Sequence, residues 1–152
     1  MSEMRHASVT WSGDLASGSG MITYLSSGVV SRLPISWASR TSAHDGRTSP
    51  EELLAAAHAS CFSMALSARL AKNGTPAANL DVRAEVVFDQ GEAGWKVKSS
   101  TLKVRGDVPG IDAATFATLA EDAKDKCPIS QALKGNVELA VEATLVSPAA
   151  AG

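Results

Sequence analysis

The chain holds two cysteines, and their settings differ. Cys61 lies inside the apolar stretch Glu51-Glu52-Leu53-Leu54-Ala55-Ala56-Ala57-His58-Ala59-Ser60-Cys61-Phe62-Ser63-Met64-Ala65-Leu66. Cys127 follows the charged run Glu121-Asp122-Ala123-Lys124-Asp125-Lys126 and precedes Pro128-Ile129-Ser130. One thiol inside a helix and a second far along the chain suggest a redox pair. The first reacts and the second resolves it as a disulfide. Free cysteine is also commonly a small buried hydrophobe, and that reading stands beside the redox one.

The surroundings of each sulfur set what it can do. Cys61 falls some three turns into its helix, too far for the helix N-terminus to lower its pKa much. To react it needs a cation, and Arg40 and Arg47 precede the helix. His58 lies one turn away on the same face, as a packed residue or as a base. Glu51 and Glu52 are acids of a first turn, where they suit the helix dipole. At ~1.5 Å per residue, Glu51 and Cys61 stand roughly 15 Å apart along one helix. Glu51 therefore reaches the Cys61 of a second, antiparallel copy, or it positions an arginine from a distance. Cys127 opens a short helix, where N–H groups favour a thiolate and a good resolving sulfur. Alternatively it is a partly buried cap. His58, Cys61 and Cys127 could be metal ligands, but structural zinc sites use closer-spaced cysteine pairs, so no metal is expected. There is no nucleophile-elbow spacing and no glycine-rich phosphate loop.

These residues need elements to hold them. His6–Trp11 and Ser19–Leu25 read as strands, with Ser12-Gly13-Asp14 as a turn. Val29 to Arg47 reads as strand followed by loop. Residues 49 to 73 carry the clearest helix signal. Ser49 is the N-cap, Pro50 takes the first helical position, and Glu52 completes a capping box. Gly74 supplies the stop. From Leu53 to Ala68 this helix is apolar on nearly every face. Such a helix is usually buried all round, so a second copy of the chain is expected to cover part of it. Leu80–Phe88 and Trp95–Gly106 alternate as a hairpin pair, and Asp112 caps a helix ending near Lys126. Pro128 opens a short helix to Leu133, Asn136–Val146 is a last strand, and 147–152 reads as a disordered tail.

The bulk properties narrow the class. A chain of 152 residues fits one domain with a real core. Fourteen Lys and Arg against 16 Asp and Glu, with no basic run, argue against a nucleic-acid surface. Two cysteines are too few for a secreted disulfide framework. The N-terminus lacks an apolar signal region, and no stretch reaches ~18 uncharged apolar residues, so neither export nor a membrane span is expected. The expected compartment is the cytoplasm.

Ser49–Leu66 resembles the signature helix of the OsmC/Ohr peroxidases, and so does Lys126-Cys127-Pro128-Ile129-Ser130-Gln131-Ala132-Leu133-Lys134. The likeness runs from about Thr10-Trp11-Ser12-Gly13-Asp14 to about Leu145 and is nearer the osmotically inducible OsmC branch. It implies an α+β fold, with long central helices wrapped by antiparallel sheets in an intertwined homodimer. It also implies reduction of organic hydroperoxides without metal, flavin or haem, and reset by an external dithiol that is lipoyl-linked in some members. By motif, Cys61 matches the peroxidatic cysteine, Cys127 the resolving one, Arg40 the assisting arginine and Glu51 its carboxylate partner. The family often has an aromatic residue just after that arginine, and here Thr41 stands there; Arg47 is the alternative cation. An apolar lining from Phe62, Met64 and Ile129 would favour alkyl hydroperoxides. Two other readings are a cysteine hydrolase or acyl transferase with His58 as base, and a non-catalytic ligand-binding dimer with inert thiols.

Overall fold

The computed structural model describes residues 1–146, so the tail 147–152 lies outside the described residues. The chain groups into two compact units, Met1–Leu53 and Leu54–Gly152.

In the first unit, β1 (Ala7–Ser12), β2 (Ser19–Leu25) and β3 (Leu33–Ile35) form an antiparallel sheet in the order β1-β2-β3. The Asp14 carboxylate accepts from the Ser17 N–H at 2.7 Å and holds the β1–β2 turn. The expectation of strand then loop after Val29 missed a short helix, α1 (Ala38–Thr41). Serine hydroxyls hold it in place. Ser39 N–H donates to Ser36 Oγ at 3.1 Å, and Ser39 Oγ lies 2.8 Å from the carbonyl oxygens of both Ser36 and Thr48. Those bonds tie α1 to the residue just before the cap of the long helix.

That helix is α2 (Pro50–Lys72). The Ser49 hydroxyl accepts from the Glu52 N–H at 3.1 Å, which is half of the expected capping box. The Glu52 carboxylate does not reach back to Ser49; it accepts from the Thr48 hydroxyl at 3.0 Å. At the other end, Thr75 N–H donates to the Leu70 carbonyl and Gly74 N–H to that of Ala71, both at 3.0 Å. This is the Schellman pattern, and Gly74 takes the left-handed φ of 80° that it requires.

In the second unit, β4 (Asn79–Gly91) and β5 (Gly94–Asp107) form a long hairpin. The chain then crosses through α3 (Ala113–Lys126) and α4 (Pro128–Leu133) and returns as β6 (Glu138–Leu145). β6 pairs parallel to β5, so this sheet is mixed, where antiparallel sheets had been expected. A connection carrying two helices can return the chain in the same direction, which a tight turn cannot. The expected cap of α3 is present, with Asp112 accepting from Thr115 N–H at 2.8 Å.

The core of this unit joins Phe62, Leu66 and Leu70 of α2 to Leu102 and Val104 of β5 and to Phe116, Ala120 and Ala123 of α3. Gly106 lets α3 approach the sheet. A Cβ there would stand 2.5 Å from the Phe116 ring. The apolar belt of α2 is covered on one side only: Leu53 is 37% and Met64 68% exposed. Among the described residues, α2 is also the one helix whose length and mean hydropathy (1.3 over its most apolar window) would suit a membrane crossing. Buried core helices share that composition, and the stripe His58, Phe62, Leu66 and Leu70 is fully buried against protein.

Candidate functional site

The second unit brings the two cysteines together. Both are free thiols, Cys61 half-buried and Cys127 fully buried. Helix α2 carries Cys61. Cys127 is at once the C-cap of α3 and the N-cap of α4, a junction fixed by Pro128 at the start of α4. The two sulfurs are close enough that each shifts the other's pKa.

The surroundings treat the two sulfurs differently. Burial pushes the Cys61 thiol up, the bond it gives to Cys127 pushes it further, and the Ile129 N–H opposes both. Burial would also raise Cys127. Four donors outweigh that and hold it below its usual value: the Cys61 thiol, the Ser130 N–H and hydroxyl, and the Ile129 N–H. Of the two thiols, Cys127 is therefore the easier to deprotonate. Within Leu54–Val146, no cation is among the groups that shift Cys61.

His58 faces neither sulfur. Its Nδ1 lies 2.7 Å from Ser100 Oγ and its Nε2 2.7 Å from Ser130 Oγ. Both ring nitrogens are thus occupied, which removes the base that a Cys61 hydrolase would need. It also breaks up the His58, Cys61 and Cys127 ligand set. Among the described residues, no three His, Cys, Asp or Glu side chains gather as a metal site. Burial pushes the His58 pKa down, so the ring is neutral near pH 7.

The first unit assembles Arg40 and Glu51. The guanidinium grips the carboxylate through Nη2 to Oε1 at 2.6 Å and through Nε to both oxygens at 3.2 Å. Glu51 is 7% exposed. A fork held this way keeps one orientation, which a single-point contact would not impose. Arg47 instead pairs with exposed Asp45 at 3.5 Å. Thr41 offers no aromatic ring, but Trp37 supplies one from the preceding turn, 5.5 Å from the Arg40 guanidinium. Beside this pair opens a cavity of about 380 Å³ lined by Trp11, Leu15, Ile35, Trp37, Arg40 and Pro50. The apolar lining expected from Phe62 and Met64 is not found. Phe62 is sealed in the core and Met64 faces outward.

Ser100, Ser130 and Trp37 were missed by the sequence reading. One signal was present. The inward positions of β5 run Ser100, Leu102, Val104, so a serine stands where the alternation calls for an apolar residue.

The family model described as OsmC-like protein matches residues 43–142. Peroxiredoxin OsmC of Escherichia coli (strain K12) is 42% identical over 129 residues, covering 85% of this chain and 89% of that protein. The organic hydroperoxide resistance protein OhrA of Bacillus subtilis (strain 168) is 34% identical over 97 residues, 62% of this chain and 66% of that protein. Among solved structures, the organic hydroperoxide resistance protein OhrB of Bacillus subtilis superposes with a TM-score of 0.72 at 29% identity, over 91% of this chain and 98% of that one. With the OsmC-like family model matching residues 43–142 and 42% identity to the Escherichia coli protein over 85% of this chain, the chain belongs to the OsmC-like protein family.

Proposed function

We propose that the protein is a thiol-dependent peroxidase that reduces organic hydroperoxides to alcohols. The observation that carries this reading is the proximity of two free thiols, Cys61 and Cys127, each shifting the other's pKa. Cys61 is the more exposed of the two, so a peroxide meets it first. Its sulfur takes the terminal peroxide oxygen, the O–O bond breaks, and the departing alkoxide leaves as alcohol with the thiol proton. The Cys127 sulfur then attacks the sulfenic acid. An S–S bond forms, the S–O bond breaks, and the hydroxyl leaves as water with the Cys127 proton. An external dithiol, lipoyl-linked in our reading, reduces the disulfide and closes the cycle.

Cys61 needs help to become a nucleophile, because burial and Cys127 both hold its proton on. Arg40 is the cation assigned to this task, with Glu51 fixing its fork. The helix spacing given above separates Glu51 from the Cys61 of its own chain. The pair therefore serves the thiol of a second copy, in a homodimer. The uncovered apolar residues on α2 support such a partner. The cavity beside Arg40 suits the alkyl or aryl part of the hydroperoxide. A cycle that depends on re-reduction fits a reducing compartment, and we place it in the cytoplasm.

The test is stoichiometric. Reduced protein is mixed with one equivalent of an alkyl hydroperoxide, and intact mass is read with a thiol count. Loss of both thiols, a Cys61–Cys127 disulfide and one equivalent of alcohol are expected. Unreacted thiols, or oxidised Cys61 without a disulfide, would overturn the reading.

A further inference from the structure

His58 takes no part in the cycle above, yet it is fully buried and bonded at both ring nitrogens. A neutral imidazole carries one N–H and one lone pair, so its two serine partners must play opposite parts. Ser130 settles which. Its hydroxyl has one proton, and it lies in the first turn after Cys127, where it is among the groups that lower that thiol. If Ser130 gives that proton to sulfur, it must accept one from His58 Nε2–H. The Nδ1 lone pair then accepts from the Ser100 hydroxyl. Three donors point one way: Ser100 to His58, His58 to Ser130, Ser130 to Cys127. Aligned donors strengthen each other, most of all in a buried site.

We propose that His58 is a positioning residue for the resolving sulfur: held 2.7 Å from both Ser100 and Ser130, it turns the Ser130 proton onto Cys127 and primes that sulfur to attack the oxidised Cys61. The inference rests on the peroxidase reading and specifies its second step. In that step the S–S bond forms as the S–O bond breaks, and the freed hydroxyl takes the Cys127 proton as water. The groups that lower the Cys127 thiol are Cys61 from α2 and, from α4, the Ser130 side chain and the N–H groups of Ile129 and Ser130. Those bonded to His58 are Ser100 from β5 and Ser130 from α4. Oxidation of Cys61 removes its proton from the Cys127 sulfur. The Ser130 hydroxyl is then the remaining side-chain donor, and its direction matters most at the moment of attack.

The experiment separates the two steps in a single turnover of the full chain with an alkyl hydroperoxide. Sulfenic acid is trapped with dimedone, and disulfide is followed by non-reducing mass analysis. His58→Met fills the space without hydrogen bonds, whereas His58→Gln keeps one donor and one acceptor. Ser130→Ala removes a single hydroxyl and serves if His58→Met does not fold. We expect sulfenic acid to form at close to the parent rate in all three. Disulfide formation should slow about tenfold in His58→Met and Ser130→Ala, the scale of one lost hydrogen bond, and recover in His58→Gln. Disulfide formation at the parent rate in folded Ser130→Ala, equal slowing of both steps, or no recovery with glutamine would overturn the proposal. A parent protein that forms no disulfide would instead sink the peroxidase reading, before any variant is made.

Discussion

Cys61 and Cys127 lie side by side, and their surroundings move the two thiols apart, Cys61 up and Cys127 down. The buried sulfur is thus the readier of the two to give up its proton, and the exposed one holds its proton harder. A peroxide arriving at Cys61 meets a thiol that must first lose that proton. This arrangement divides the labour between the cysteines and sets the first prediction. Cys61→Ser should abolish hydroperoxide reduction and leave the fold intact. Cys127→Ser should keep a single turnover, lose multiple turnover and let Cys61 advance to the sulfinic acid. A coupled assay of alcohol release, with mass analysis of the used protein, distinguishes the two. Sustained turnover in Cys127→Ser would move the resolving role elsewhere.

The bidentate grip of Arg40 on Glu51 makes a second prediction. Arg40→Lys keeps the charge but loses the fork, so kcat/KM for an alkyl hydroperoxide should fall roughly tenfold or more. Glu51→Gln should fall in the same direction by freeing the guanidinium. Arg47→Ala is the control, since Arg47 pairs with exposed Asp45 rather than with Glu51. Peroxide kinetics across the three variants give the answer, and a loss in Arg47→Ala alone would transfer the role.

Trp37 packs on the Arg40 guanidinium and lines the neighbouring cavity. Trp37→Ala removes apolar surface from the place assigned to the organic part of the substrate. Aryl hydroperoxides should lose more than hydrogen peroxide does, by a factor of about five to ten at the usual value of such contacts. The ratio of the two kcat/KM values is the readout. An unchanged ratio would place the organic group outside this cavity.

Burial lowers the His58 pKa from its ordinary 6.5. The unfolded chain therefore binds a proton at pH values where the folded chain does not. His58 contributes its full stability above pH 6.5 and loses it as the pH falls below that value, by at most about 1.4 kcal/mol per pH unit. Melting temperatures of the parent should drop between about pH 6.5 and 5. His58→Gln should drop less over the same window, and parallel curves for the two proteins would remove His58 from the account.

The open side of α2 makes a prediction about assembly. Met64 is 68% exposed on an otherwise apolar helix. Light scattering at micromolar concentration should report a dimer, and Met64→Lys should weaken it by setting a charge in the buried contact. A monomeric parent at that concentration would remove the partner from the reading and leave Arg40 with no second Cys61 to serve.

The sequence made the long helix plain because every local signal agreed. Ser49, Pro50 and Glu52 mark its start, Gly74 its end, and Ala and Leu fill the middle. The cysteine motifs were equally visible as motifs. The helix α1 was not, because four residues carry no periodicity and its hold comes from Ser36, Ser39 and Thr48. The parallel pairing of β6 was hidden too, since alternation at period two is the same for a parallel and an antiparallel strand. Sequence alone left Arg40 and Arg47 as rivals for assisting Cys61, and it took three-dimensional placement to pair Arg40 with Glu51. Ser100 and Ser130 escaped for a similar reason. Each is an ordinary residue of its own segment, and its meaning comes from a histidine on another element.

The parallel strand has a further consequence for how this chemistry comes into being. Cys127 rides on the crossover between β5 and β6, a segment that reaches the core through contacts distant in the chain. Contacts between distant parts of a chain must overcome the entropy of closing the loop before they yield any stability. The meeting of the two sulfurs is one of those distant contacts. A growing chain carries its first thiol long before the second is made, and until then that thiol has no partner to protect it.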